Sequence, residues 1–299
     1  MLAIIIPFYK LTFFEATLES LANQTDKRFK VYIGDDLSPE DPIGLIEKYT
    51  GKFNFIYHRF ENNLGSISLT QHWERCIGLS ADEEWIMVLG DDDVLGSNVI
   101  SKFYENLNEI KELNIQVVKF SSIVVDSLGK STSPVFVHPT IELPIDSYLK
   151  KIMHQTRSSL SEYIFTRKAY EKYKFYDYPL AWHSDDRAWI EFSDNKPLYS
   201  INDSIIFIRL SRESITGNTD NLYIKNQSTI EFLKFLWQNY TYKNKQNLQL
   251  MYRYEVEIKR YRKLLFNEWR YLLYHYILNF DFRIFIKFVR RLILSLLIK

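Results

Sequence analysis

The chain has 299 residues, of which 46% are hydrophobic and 25% charged, a globular composition long enough for one large or two smaller domains. Nine glycines and eight prolines exclude collagen-like and low-complexity chains. The single cysteine, Cys76, excludes an internal disulfide and a multi-cysteine zinc site, which favours a reducing, cytoplasmic setting. The net charge of +1 hides an asymmetry: residues 222–299 hold 15 Lys and Arg against 5 Asp and Glu, so an acidic body carries a basic tail.

The first part of the chain alternates short apolar runs with amphipathic segments, which predicts strand–helix–strand units on a mainly parallel α/β sheet. The predicted strands cover residues 2–6, 30–33, 53–58 and 84–89, and the predicted helices cover 13–22, 43–49, 67–79 and 97–113. Ser97 is the expected N-cap of the last helix. A β-type run at 116–125 and a loop through Pro144 follow, and residues 161–167, 182–192 and 198–208 continue the same domain. We therefore expect a first domain over 1–221 and a helical region over 222–299.

Two predicted strands end in a glycine followed by carboxylates, Gly34-Asp35-Asp36 and Gly90-Asp91-Asp92-Asp93. Ligands of open α/β sheets bind outside the carboxyl ends of the strands, so both turns are expected on one rim. Three adjacent carboxylates repel one another, and Mg²⁺ or Mn²⁺ would relieve that repulsion while sharing its shell with substrate phosphates. A solvated acidic turn that caps the next helix is the alternative interpretation of so short a motif.

With these turns in place, the chain resembles the family 2 glycosyltransferases of GT-A fold, a Rossmann-like architecture, over roughly residues 2–216. The resemblance rests on the order and spacing of five segments, at residues 4–9, 18–25, 31–38, 63–65 and 89–93. It implies a nucleotide-sugar site in which Pro7 and Tyr9 line the nucleobase and Asp36 accepts a hydrogen bond from it. Asp91 matches the acid that lies beside the ribose or beside the metal. Strand-end packing for Tyr9 and turn capping for Asp36 are the ordinary alternatives.

The same resemblance implies a divalent metal, Mn²⁺ or Mg²⁺, held by Asp92 as the direct ligand with Asp93 next to it. Many relatives carry Arg-x-His after the late strand, and the His reaches the metal or the diphosphate. This chain has Arg209-Leu210-Ser211 instead, so the His ligand is missing. Arg209 and Arg212 are candidate diphosphate contacts, although structural ion pairs are an equal alternative.

An inverting transfer also needs a general base, which in the family is an Asp in an acidic pair that begins a helix, often with a Trp four residues later. The run from His183 to Trp189 fits that pattern. The position of Trp189 selects Asp185 as the base, with Asp186 as the alternate. Helix capping by Ser184 or Asp185 is the alternative explanation of the pair.

The last twenty residues form a cationic amphipathic pattern, which is typical of a helix lying on an anionic membrane surface. A helix that packs on the first domain or on a second subunit of a homo-oligomer would show the same pattern. No recognised nucleic-acid-binding motif accompanies the charge, so nucleic acid is not an expected partner. The apolar positions are Phe282, Phe285, Phe288 or Val289, Leu292 and Leu296, and the basic positions are Arg283, Lys287, Arg290 and Arg291.

The resemblance thus implies a metal-dependent inverting glycosyltransferase that moves a hexose or N-acetylhexosamine from a nucleotide sugar, by expectation a UDP-sugar, to a saccharide or lipid-linked saccharide, as in bacterial surface polysaccharide synthesis.

The apolar opening run before Pro7 is too short for a secretory signal, and no apolar run reaches about 18 residues. We expect a cytoplasmic protein, peripheral at the inner face of the cytoplasmic membrane if the tail binds lipid. A metal-dependent phosphohydrolase and a non-catalytic membrane adaptor are the alternatives; the first would need Asp-x-Asp where the chain has Pro7-Phe8-Tyr9.

Overall fold

The structure, a computed structural model, describes residues 1–211, 214–240 and 244–297. The contacts within the chain divide it into two compact units, Met1–Asn218 and Thr219–Lys299. The first unit contains the sheet and both acidic turns, and the second is helical.

The first unit is built on one mixed sheet. Its strand order is β3-β2-β1-β4-β8-β6-β9-β5, and β7 pairs with β9 outside this path. The strands of the described residues are β1 (Leu2–Phe8), β2 (Phe29–Asp35), β3 (Asn54–Arg59), β4 (Trp85–Val88), β5 (Val94–Leu95), β6 (Val117–Val125), β7 (Ile141–Glu142), β8 (Tyr163–Thr166) and β9 (Leu198–Arg209).

The apolar strands predicted from the sequence form the parallel part of this sheet. β1 pairs in parallel with β2 and β4, and β2 pairs in parallel with β3. Alternate residues of β1 enter the apolar clusters on the two faces of the sheet, which explains why the strand is an unbroken apolar run. The sheet becomes mixed beyond β4, because β8 runs antiparallel to both β4 and β6. The predicted α/β class is confirmed; β1 to β4 form one parallel part of the sheet, and β6 and β9 form a second parallel pair.

Seven α-helices of the described residues flank the sheet. They are α1 (Phe14–Ala22), α2 (Ile43–Ile46), α3 (Leu69–Ile77), α4 (Val99–Glu112), α5 (Pro144–Ile152), α6 (Arg167–Tyr173) and α7 (Ser184–Phe192). The predicted cap at Ser97 is wrong, since Asn98 is the N-cap residue of α4 and its side chain makes no cap hydrogen bond. That side chain instead bonds Ser204 and the carbonyl of Asp203, which fixes α4 on β9.

The second unit consists of α8 (Leu222–Asn239), α9 (Asn244–Lys259), α10 (Phe266–Leu278) and α11 (Phe282–Leu297) in the described residues. The helical tail predicted from the spacing of apolar and basic residues is therefore confirmed. Aromatic rings contribute much of its interior, including Tyr254, Trp269, Tyr276 and Phe288. None of the helices in the described part of the chain has the length and hydropathy needed to cross a membrane.

Candidate active site

A cavity of about 470 Å³ opens at the carboxyl ends of β1 and β4, entirely within the first unit. This volume is in the range of sites for small ligands and cofactors. Its walls come from the turns after these two strands, from residues 157–161 and 180–186, and from the end of β9. The predicted site residues that line it are Pro7, Tyr9, Asp91, Asp92, Asp93, Asp185, Asp186 and Arg209.

Two predicted residues are not brought to this cavity by the described structure. Arg212 lies outside the described residues. Asp36 is buried and is absent from the cavity lining, because its carboxylate accepts the backbone N–H groups of Leu64 and Gly65 and pairs with Arg75. Only glycine fits at position 65, since a Cβ there would lie 2.5 Å from Asp36 Oδ2. The carboxylate of Asp36 therefore stabilises the turn at residues 64–65. This contact corresponds to the turn-capping alternative for Asp36.

Asp91 shapes the turn that follows β1. Its Oδ2 accepts the backbone N–H groups of Tyr9 and Lys10 at 2.8 and 2.9 Å, and Ser38 Oγ donates to the carbonyl of Tyr9 at 2.7 Å. The backbone of Tyr9 is thus held from both sides, while its side chain is more than a third exposed at the cavity wall. A fixed, accessible aromatic ring can stack on a nucleobase.

The acidic turn after β4 contains two carboxylates with different surroundings. Asp93 is buried, and its oxygens accept Ser161 Oγ at 2.5 Å and the backbone N–H of Arg209 at 2.9 Å. Asp92 is partly exposed, and within the described residues its carboxylate accepts its own backbone N–H but no side-chain donor. Burial, together with the charges of Asp93 and Asp91, raises the pKa of Asp92 to about 8. Asp92 is therefore the carboxylate of this turn to which no other described residue donates a hydrogen bond, and the charge of Arg209 only partly offsets the rise in its pKa.

Hard divalent cations suit this arrangement. Mg²⁺ is usually held by one or two carboxylates and keeps its other positions for water and phosphate oxygens. Among the described residues, no group of three or more His, Cys, Asp or Glu side chains is placed to hold a metal, so the protein supplies no complete cage. A single free carboxylate with a raised pKa, open to a cavity, fits a metal that the substrate helps to bind.

Arg209 lies at the end of β9, beside the acidic turn. Its Nε donates to the carbonyl of Asp92 at 3.0 Å, and its Nη1 donates to the carbonyls of Asp126 and Ser127. The guanidinium also lies 4.4 Å from the ring centre of Phe13. These contacts join the acidic turn to residues 126–127 through backbone carbonyls, and the predicted contact of Arg209 with diphosphate stays a prediction.

The acidic pair at the start of α7 is also divided into an engaged and a free carboxylate. Asp186 is buried and accepts Lys151 Nζ at 2.6 and 2.7 Å, and it contacts His183 Nδ1 at 2.7 Å. Although burial alone would raise the pKa of Asp186, Lys151 and His183 lower it well below its usual range. Asp185 lines the cavity; its carboxylate accepts the backbone N–H of Asp186 and is bound by no side chain among the described residues. Burial and the charge of Asp186 raise the pKa of Asp185 to about 7.

The segment before this pair is held in an unusual backbone conformation. Leu180, Ala181 and His183 have φ angles of 60°, 52° and 74°, a region that residues other than glycine rarely adopt. All three line the cavity. Such strain persists only where surrounding contacts impose it, and it is common around active sites. Here it brings His183 to Asp186 and the first turn of α7 to the cavity.

Sequence reasoning missed Lys151 and Ser161. Lys151 belongs to α5, which begins at Pro144, where the predicted loop ended, and for which no element was predicted from the sequence. Proline at the first helical position, Asp146 in the first turn and lysines in the last turn are the signal that marks this helix. Ser161 had no local signal: its hydroxyl donates to Asp93 and accepts the N–H of Gly90, a contact across about seventy residues of sequence.

The fold and cavity define an α/β enzyme whose acidic groups converge at the carboxyl ends of the strands. The model of the family "Glycosyl transferase family 2" matches residues 3–178, which is more than half of the chain. The chain belongs to glycosyltransferase family 2, as its sequence motifs predicted. A search of the curated proteins finds no match.

Solved structures with a similar fold include three of TarS from S. aureus. The complex of TarS 1-349 with UDP-GlcNAc aligns with a TM-score of 0.63 at 15% identity, and the complex with UDP aligns at 0.60 and 17%. Both alignments cover 95% of this chain and 82% of the other. A further TarS structure aligns at 0.60 and 16% identity, with 95% and 50% covered. These similarities concern the fold, and with the family match they confirm the predicted GT-A fold with a helical extension.

Proposed function

We propose that this glycosyltransferase is inverting and metal-dependent, and that it transfers a hexose or N-acetylhexosamine from a UDP-sugar to a saccharide or lipid-linked saccharide acceptor. The observation that carries the proposal is the presence, in one cavity, of two carboxylates, Asp92 and Asp185, that accept no hydrogen bond from a side chain among the described residues. The TarS structures with UDP and UDP-GlcNAc support the choice of donor. Bacterial surface polysaccharide synthesis at the inner face of the cytoplasmic membrane is the setting we propose.

The donor half of the proposed site combines recognition and leaving-group stabilisation. Pro7 and Tyr9 line the wall that receives the nucleobase, and Asp91 holds their turn in place. Asp92 would hold Mg²⁺ or Mn²⁺ together with the diphosphate of the donor. When bound, the cation would supply positive charge that offsets the charge developing on the departing UDP. Asp93 holds the turn through Ser161 and Arg209.

The acceptor half of the proposed site depends on Asp185. Its carboxylate takes the proton of the acceptor hydroxyl while that oxygen forms a bond to the anomeric carbon and the bond from this carbon to the UDP oxygen breaks. A single displacement inverts the configuration at this carbon. A pKa near 7 suits this role, because a large fraction of the base is then ionised at neutral pH and it is still basic enough to accept the proton. Lys151 and His183 position the pair through Asp186.

The proposal is tested by incubating the chain with a panel of UDP-sugars and Mn²⁺ or Mg²⁺ and measuring release of UDP. We expect slow release with one or a few sugars, faster release with a saccharide acceptor, and loss of both when EDTA is added. Release of inorganic phosphate from phosphate esters, without dependence on the sugar, would instead support the phosphohydrolase. Binding of a cation without any turnover across the panel would support the adaptor.

The Lys151 contact gives a prediction about pH. The charged groups around Asp185 are Asp186 on the same helix, Lys151 on α5 and Glu162 before β8. The positive charge of Lys151 lowers the pKa of Asp185, so Lys151→Met should move the rising limb of kcat/KM to higher pH. Lys151→Arg, which keeps the charge, should leave the limb near its original position. A merely structural role for Lys151 predicts lower activity in both variants with an unmoved limb.

A further inference from the structure

The helical corner between α10 and α11 exposes large apolar side chains. Ile277, Leu278, Phe280 and Phe282 are each more than half exposed within six residues of sequence. Along α11 the exposed apolar side chains continue at a spacing of four, seven and four residues, which repeats on one face of an α-helix. These residues are Phe282, Ile286, Ile293 and Leu297.

The same helix packs into the second unit by a different face. Phe288 is fully buried and contacts the rings of Trp269 and Tyr276. Arg291 pairs with the buried Glu255 at 2.8 Å. The stripe predicted from the sequence therefore combined residues that pack, above all Phe288, with the exposed Phe282; the side chain of Leu296 lies outside the described part.

A row of cations borders the exposed apolar stripe. Arg283, Lys287 and Arg290 are exposed and follow one another at helical spacing. None of the three forms an ion pair with an acid in the described part of the chain, whereas Arg291 on the packed side does. α11 contains no Asp or Glu. The exposed surface of α11 thus joins an apolar stripe to an unneutralised cationic one, and we refer to this surface as the α11 face.

We propose that the α11 face docks on an anionic phospholipid bilayer, with its apolar stripe entering the headgroup boundary and its cations meeting lipid phosphates. This is the combination that interfacial helices use. The positive charge of this region favours an anionic lipid surface over the same face of a second copy of the chain. The region from residue 222 on carries 15 basic against 5 acidic residues, so two such faces would repel each other. The inference does not depend on the proposed transferase chemistry.

The test uses the full chain and sedimentation with vesicles of phosphatidylglycerol and phosphatidylcholine in equal amounts, compared with phosphatidylcholine alone. We expect binding to the anionic vesicles only, weakened by added salt. The double variant Arg283→Gln/Lys287→Gln should lose about 30-fold in affinity. The matched control Lys234→Gln/Lys245→Gln removes the same charge from exposed positions of the same unit and should lose much less.

The apolar contribution is tested by Phe282→Asn/Ile293→Asn, with Leu222→Asn/Ile224→Asn as a control at exposed apolar positions of α8. We expect the first pair to reduce vesicle binding strongly and the second to leave it near the parent value. Equal losses in test and control pairs, or no vesicle binding by the parent chain, would overturn the proposal. A concentration-dependent dimer that Phe282→Asn/Ile293→Asn dissociates, without vesicle binding, would assign the face to a second copy instead.

Discussion

Asp92→Asn is expected to lower the rate of sugar transfer at least about a hundredfold and to remove the metal dependence of UDP binding. Asp92 has the carboxylate of the acidic turn to which no other described residue donates a hydrogen bond, so its charge is available to a cation. A neutral amide keeps the shape but cannot hold a divalent ion with comparable strength. Calorimetric titration of UDP with and without Mn²⁺, together with UDP release, measures both effects.

Asp93→Asn is the matched control within the same turn. The oxygens of Asp93 accept Ser161 and the N–H of Arg209, so this change should lower thermal stability, whereas Asp92→Asn removes one of three crowded charges and should not. Near-normal turnover by Asp92→Asn would remove it from the metal role. Loss of metal-dependent UDP binding in Asp93→Asn alone, with an intact fold, would transfer that role to Asp93.

The sequence was most informative where local pattern and burial agree. The strand at Leu2–Phe8 is an unbroken apolar run because both faces of a central parallel strand are covered. The run is also too short for a helix of ordinary length, so its assignment as a strand was unambiguous. Two of the strands were also followed by Gly-Asp turns, and the turn with Asp91 and Asp92 lines the cavity, whereas Asp36 does not. Asp185 and Asp186, which the resemblance and not this pattern pointed to, line the same cavity.

The roles of individual carboxylates were less accessible, because they depend on contacts between distant residues. Asp36 and Asp92 both follow a strand and a glycine, yet Asp36 is paired with Arg75 and Asp92 is not. The packing of α11 was also difficult to predict, because the periodicity of apolar residues identified an amphipathic helix but not which of its faces packs. Only the position of Phe288 against Trp269 distinguishes the buried stripe from the exposed one.

Asp185→Asn is expected to lower kcat by about 10²–10⁴-fold while leaving the binding of UDP-sugar and metal unchanged. The carboxylate of Asp185 is open to the cavity, and an amide at this position cannot take the acceptor proton at neutral pH. The measurement is kcat at saturating donor, with donor affinity determined separately, because a group that acts in the transition state lowers kcat without weakening ground-state binding.

Stability gives an independent check on the same variant. The pKa of Asp185 is higher in the folded protein than in the unfolded chain, so ionisation of this carboxyl destabilises the fold. The destabilisation grows as the pH rises from the ordinary pKa of Asp toward about 7. Asp185→Asn removes this cost. Its Tm should therefore exceed that of the parent at pH 8, and the difference should vanish near pH 4. A lower Tm at pH 8 would indicate that Asp185 is a stabilising helix cap.

Asp186→Asn separates the base from its partner. It leaves Lys151 and His183 without their carboxylate in a partly buried site, which should lower stability by about 3–5 kcal/mol if the pair behaves like other buried ion pairs. Losing the negative neighbour also lowers the pKa of Asp185, so any remaining activity should extend to lower pH. Equal, small losses of kcat in Asp185→Asn and Asp186→Asn would indicate that both carboxylates act as helix caps and that neither is the base. An inactive but stable Asp186→Asn, beside an active Asp185→Asn with normal binding of metal and UDP-sugar in both variants, would make Asp186 the base.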